Sequence, residues 1–234
     1  LIAALAGLPC RVITFGFAAR ADVRPSRVEE RGEAGVAFEV KGFPPVRLRL
    51  IGRHQVANAL GAVAAAAVLG VPAERAAAAL AGFRGVKRRQ EVRGEVRGVT
   101  VVDDFAHHPT AVAASLSSLR ARFPGRRLVA VFEPRTNSSR RAVFQRDYAQ
   151  AFDGADRVVV SVVPDAPLYS ATGEVAERFS AQRLAEDVGA RGIEAVALDG
   201  VDAIVAHLAR ECRPGDVVLV MSNGDFGNVW GRLL

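Results

Sequence analysis

Several short stretches carry residues whose types and spacing can do chemistry. The richest is Asp103-Asp104-Phe-Ala-His107-His108-Pro109-Thr110. Two carboxylates there can hold a ribose or a metal-bound water, and two histidines can touch an anion. A metal site is a rival use, although hard ligands alone do not specify one. The plainer alternative is a loop whose Asp caps the next helix and whose His is solvated. Glu133-Pro-Arg135-Thr136-Asn137 offers Arg135 for bidentate capture of a carboxylate, against an ordinary loop with a surface arginine. Gly52-Arg-His54-Gln55-Val-Ala-Asn58 sets Gln55 and Asn58 three apart, on one face of a helix. Amides so placed can read a purine edge; a helix cap and one buried Asn is the plainer account. Lys87-Arg88-Arg89 is a solvated corner or a contact to phosphate charge.

Other chemistries find no support in the residues. No G-x-x-x-x-G-K-[ST] phosphate loop occurs, no G-x-G-x-x-G follows a strand, and no nucleophile elbow is visible. Cys10 and Cys212 match neither a zinc spacing nor a disulfide framework. They read as two buried thiols in a reducing cytosol, so the expected location is cytoplasmic.

The elements that must position these residues follow from periodicity and breakers. Residues 10–17 alternate as a strand, and Val36–Val40 and Val46–Leu50 are short strands around the Gly42-Phe-Pro-Pro45 turn. A helix runs from Gly52 to about Leu69 and a second from Ala73 to Leu80. From Gly85 the pattern changes. Strands are expected at Glu91–Arg97, Val99–Val102, Arg127–Phe132, Arg157–Val163, Glu194–Leu198 and Asp216–Met221. Helices are expected at Thr110–Arg122, Arg140–Phe152, Glu174–Val188 and Val201–Arg210, with a short last one. Short, nearly continuous apolar strands alternating with helices indicate an α/β fold with a mostly parallel sheet covered on both faces. In such sheets ligands collect beyond the C-terminal strand ends. The Asp103–Thr110, Glu133–Asn137 and Ser222-Asn223-Gly224-Asp225 segments all fall there.

With 234 residues there is room for one large or two small domains. Half the residues are apolar, and no run approaches the length of a membrane span. The net charge is +6, and among the 31 basic residues only Lys41 and Lys87 are lysines. The arginines are scattered and aromatics make up 6%, which argues against nucleic acid and for anionic small molecules. Leu1 to Cys10 has neither an initiating Met nor a basic n-region, and reads as the end of a helix cut mid-chain.

His54-Gln-Val-Ala-Asn58-Ala-Leu, Val86-Lys-Arg-Arg89 and Asp103-Asp-Phe-Ala-His-His-Pro-Thr110 resemble, in order and spacing, three successive motifs of the Mur ligases, which build the peptide stem of peptidoglycan. The similarity covers essentially the whole chain. Lys87-Arg-Arg followed by Gly94-Glu-Val, Phe132-Glu-Pro-Arg-Thr-Asn137 and Val220-Met-Ser-Asn-Gly-Asp-Phe-Gly227 resemble one branch. That branch, in cell-wall recycling, joins UDP-N-acetylmuramate to L-alanyl-γ-D-glutamyl-meso-diaminopimelate.

The resemblance implies that residues 1–84 are the C-terminal part of a central ATP-binding domain, whose phosphate loop and magnesium ligands lie upstream. Residues 85–234 are then the Rossmann-like C-terminal, substrate-binding domain. It implies ATP and Mg2+ as cofactors, with no metal ligand in this chain. ATP phosphorylates the lactyl carboxylate of the sugar nucleotide, and a peptide amine attacks the acyl phosphate. By position, Asn58 contacts adenine together with His54 and Gln55, Arg89 reaches toward ATP phosphate, and Asp104 holds the ribose. Arg135 and Asn137, with Ser222, Asn223, Gly224 and Asp225, line the acceptor site, and His107 and His108 orient the loop between the domains. Three positions depart from the family: Gln55 for Asn, Gln90 for an apolar residue, and Asp225 for Gly. Two alternatives stand beside this reading: a ligase that adds L-alanine to UDP-N-acetylmuramate, and an inactive binding fragment.

Overall fold

The computed structural model describes residues 9, 11–136, 138–162 and 177–234, with the backbone of 169–170 and 173–174. The chain forms two compact units, Leu1–Gly85 and Val86–Leu234.

The first unit pairs a small sheet with two helices. Strands β1 (Pro25–Glu30), β2 (Val36–Val40) and β3 (Val46–Leu48) form an antiparallel sheet in the order β1-β2-β3. Alternate residues Val36, Phe38 and Val40 are buried, as period-two side chains require. Helix α1 (Arg53–Val68) buries Val56, Ala59, Leu60, Val63 and Ala64, a stripe at three- and four-residue spacing. Helix α2 (Ala73–Gly82) follows the Gly70-Val-Pro72 break. Among the described residues, the expected strand over 10–17 is not formed: a single bridge joins Phe15 to Val23, and the Asp22 carboxylate takes the Thr14 N–H and hydroxyl.

The second unit is a six-stranded sheet in the order β10-β7-β6-β11-β5-β4. Its strands are β4 (Glu91–Val96), β5 (Val99–Asp104), β6 (Leu128–Phe132), β7 (Arg157–Ser161), β10 (Glu194–Leu198) and β11 (Val217–Met221). All neighbours run parallel except the β4–β5 hairpin. That hairpin turns at Arg97 and Gly98, both at positive φ (49° and 76°), the backbone that a tight hairpin with right-handed twist needs. Every residue of β5, β6, β7 and β11 is buried, because helices cover both faces. One core packs α3 (Pro109–Arg122), α4 (Gln145–Ala151) and α5 (Ala181–Gly189) on one side. The other packs α6 (Gly200–Glu211) and α7 (Val229–Leu233). The expected mostly parallel α/β sheet is thus found.

Several helix boundaries differ from expectation. Helix α3 starts one residue early, at Pro109, because the His108 side chain accepts the Thr110 N–H as a cap. The stretch from Arg140 is helical only in part: a 3-10 turn spans Ala142–Phe144 and α4 then covers Gln145–Ala151. Glu174 belongs to a two-residue strand, β9 (Gly173–Glu174), paired with β8 (Tyr169–Ser170). Helix α5 begins only at Ala181, where the Ser180 hydroxyl accepts the Arg183 N–H at 3.1 Å.

Candidate active site

The register of the second sheet lines up its C-terminal strand ends. Met221 pairs with both Asp104 and Phe132, Phe132 with Val160, and Leu198 with Ser161. The segments that follow these residues therefore share one edge: Phe105–His108, Glu133–Arg135, Asp199–Gly200 and Ser222–Asp225. In a parallel sheet this is the edge where loops of separate chain origin converge on a ligand.

Ser222 is fully buried, and its hydroxyl organises two of these loops. It donates to a Glu133 carboxylate oxygen and accepts the Gly224 N–H at 2.9 Å. Arg135 extends over Gly224, where an added Cβ would lie 2.0 Å from Nη1. From there the Arg135 guanidinium donates to Asp225 at 2.7 Å, which holds the Asp225 carboxyl below its ordinary range. The Asn223 side-chain oxygen is buried and, among the described residues, accepts no hydrogen bond. Asn137 lies outside the described residues. A cleft of about 390 Å3 opens beside these groups, lined by Glu133, Pro134, Arg135, Arg140, Ser161, Val162, Asp199, Gly200, Val201 and Phe226. Sequence reasoning missed Arg140, Ser161 and Asp199. They stand in no motif, and only the strand register brings them to Arg135.

The Asp103–His108 segment is built differently from what its charges suggest. Asp103 is fully buried and paired with Arg88 at 3.1 Å; Arg88 also donates to the Ser222 carbonyl at 2.9 Å and lies over the Trp230 ring. Asp104 is only 3% exposed and both its oxygens are engaged, one by the Ala106 N–H at 2.7 Å and the other by the Gln90 N–H at 2.9 Å. Burial pushes its carboxyl above the usual range, while the two amides and the Arg89 charge pull the other way. Arg89 is exposed, with its guanidinium over the Phe105 ring. His107 Nδ1 lies 2.9 Å from the Phe105 carbonyl, and the His107 carbonyl accepts the Tyr148 hydroxyl. His108 caps α3 and meets Phe144 edge-on. Both imidazoles shape the loop and its junction with α3 and α4.

In the first unit, His54, Gln55 and Asn58 sit on the first turns of α1. Gln55 Nε2 and His54 Nε2 are 3.0 Å apart. Asn58 is exposed, not the buried Asn of the plainer account. Gln55 and Asn58 border a cavity of about 510 Å3 whose other walls are almost all aliphatic, from β3, α1 and α2, with Arg75 among them. Among the described residues, no group of three or more His, Cys, Asp or Glu side chains can hold a metal ion. Cys212 is half-buried, and burial pushes its thiol up to about 11; Cys10 lies outside the described residues. No helix among the described residues is long and apolar enough to cross a membrane.

Residues 88–224, more than half of the chain, match the family described as Mur ligase, glutamate ligase domain, and residues 1–66 match the Mur ligase middle domain. The chain belongs to the Mur ligase family. Mur ligases are ATP-dependent amide ligases of cell-wall synthesis, and they use Mg2+. Among curated Mur relatives, a UDP-N-acetylmuramate–L-alanine ligase from Desulfitobacterium hafniense is 34% identical over 95% of this chain and 49% of its own length. The chain thus spans about half the length of the curated relatives it matches. The crystal structure of a UDP-N-acetylmuramate–alanine ligase from Thermotoga maritima superposes with a TM-score of 0.74 at 24% identity, over 94% of this chain and 46% of the other, a likeness of fold. A murein peptide ligase from Psychrobacter arcticus is 29% identical, with a TM-score of 0.69, over 94% of this chain and 45% of the other.

Proposed function

We propose that the full-length protein is an ATP-dependent ligase that joins the lactyl carboxylate of UDP-N-acetylmuramate to the amine of L-alanyl-γ-D-glutamyl-meso-diaminopimelate. The observation that carries the peptide acceptor is the cleft of about 390 Å3 at the strand ends. It has more room than one alanine fills. Its charged walls, Arg135 and Arg140 with Glu133 and Asp199, suit a ligand bearing several carboxylates and amines. The Phe132–Asn137 and Val220–Gly227 segments, and the 29% identity to a murein peptide ligase, support the same acceptor.

In this reading Arg135, Asn137 and Ser222 to Asp225 bind the acceptor. Asn223 offers a hydrogen-bond acceptor to its amine. Arg89 faces ATP phosphate. Gln55, which His54 contacts, and Asn58 border an aliphatic cavity that suits a flat, weakly polar base such as adenine, with amides at its edge. ATP supplies the phosphoryl group that activates the carboxylate; this chain's own residues orient the partners and neutralise charge. Among the described residues no group of three or more His, Cys, Asp or Glu side chains is placed to hold Mg2+.

A second reading takes L-alanine as acceptor, and the name of the 34% identical curated relative favours it. Equal concentrations of the tripeptide and L-alanine, offered together with ATP, Mg2+ and UDP-N-acetylmuramate, separate the two by the mass of the product. A predominant tripeptide adduct supports the proposal; a predominant alanine adduct establishes the second reading.

A further inference from the structure

Asp199 follows β10 and stands at the N-cap of α6, where an Asp side chain ordinarily takes a free backbone N–H. Here it makes no cap hydrogen bond. The residue is exposed in the wall of the strand-end cleft, and among the described residues no cation is paired with it. Two other acids at this edge already have partners. Glu133 accepts the Ser222 hydroxyl and adds to the field around Arg135, and Asp225 pairs with Arg135 at 2.7 Å. The start of α6 is held against the loop after β11: a Cβ added at Gly227 (φ 53°) would lie 2.9 Å from Val201 Cγ2. In the order β10-β7-β6-β11, Asp199 follows a strand two places from the one that precedes Arg135. Two strand spacings set those strand ends about 10 Å apart. Alanine, with its carboxylate and amine on one carbon, cannot fill an anion site and a cation site so far apart. A peptide that ends in a diamino acid can.

We propose that Asp199 is a specificity-determining residue: its carboxylate pairs with the distal ammonium of the acceptor's terminal diamino acid, while Arg135 takes a carboxylate nearer the attacking amine. This rests on the tripeptide acceptor and gives a physical reason for a second amine at its far end.

The test is Asp199→Asn in the full-length protein, which removes the charge and keeps a residue that suits an N-cap. Two acceptors are compared: the tripeptide, and the same peptide with 2-aminopimelate in place of diaminopimelate, which lacks only the distal amine. The tripeptide KM is expected to rise about tenfold in the variant, the effect of one charge-assisted contact, with the ATP KM unchanged. The wild type is expected to show a KM about tenfold higher for the 2-aminopimelate peptide, and Asp199→Asn to add nothing further with it. A structural fault at the start of α6 would penalise both peptides alike. Equal penalties with the two peptides, or none with either, overturn the role of Asp199 and leave the tripeptide acceptor standing. A wild-type protein that joins L-alanine and refuses the tripeptide overturns both.

Discussion

The Arg135 guanidinium donates to the Asp225 carboxylate at 2.7 Å, joining the loop after β6 to the loop after β11. In the proposed acceptor site this arginine already has an anion, supplied by the protein itself. An incoming carboxylate must displace Asp225 or share Arg135 with it. Both side chains are well exposed, at 52% and 81%, so solvent screens the pair and exchange is easy. Asp225→Gly is therefore expected to lower the acceptor KM by up to about fivefold, with the ATP KM unchanged. Steady-state kinetics with each substrate varied in turn checks this; a higher acceptor KM would mean that Asp225 helps the acceptor by binding its amine.

Gly224 lies beneath the same arginine. Its absent side chain makes room for Nη1, which an added Cβ would approach to 2.0 Å. Gly224→Ala should push the guanidinium aside and raise the acceptor KM toward the value of an Arg135 deletion. The flexible arginine absorbs the clash, so the thermal midpoint should move little.

The Asp103–Arg88 pair is a stability element. Removing one partner leaves the other buried and uncompensated, so Asp103→Ala should cost about 3 kcal/mol in urea denaturation. Replacing both by apolar residues, as in Arg88→Met with Asp103→Leu, should cost less than the single change. An equal or larger loss in the double variant would show that the hydrogen bond from Arg88 to the Ser222 carbonyl matters more than the charge pairing.

Much of this architecture was legible in the residues, and what escaped did so for physical reasons. Strands β5, β6, β7 and β11 announce themselves as unbroken apolar runs because both faces are covered. Strand β1, Pro-Ser-Arg-Val-Glu-Glu, has no such run: it is an edge strand with four exposed residues, held by its pairing with β2. The residues of the three strand-end segments were readable as chemistry, but their burial was not. Asp104 carries the same charge as an open ligand, and only the fold shows its oxygens turned onto backbone amides. Asp199 and Ser161 had no local signal at all, since a parallel register brings them to the cleft from separate crossovers.

At the opposite end of the sheet, Arg157 bridges Glu211 and Glu194. Its guanidinium, with that of Arg210, holds the Glu211 carboxyl down to about 2. The folded value lies below the ordinary 4.5, so the stabilisation is present above that ordinary value and fades as pH falls toward 2. A side-chain NMR titration should place the Glu211 midpoint near the folded value in the wild type and return it toward the ordinary range in Arg157→Gln. A midpoint that ignores the substitution would assign the shift to Arg210.

The measurement that bears most directly on the account is the kinetics of Arg135→Ala in the full-length protein, with the tripeptide and ATP varied separately. Loss of a charge-assisted contact predicts a rise of about tenfold to a hundredfold in the tripeptide KM, with the ATP KM unchanged. An unchanged tripeptide KM, or a penalty that falls on ATP, would contradict the placement of the acceptor at the strand-end cleft.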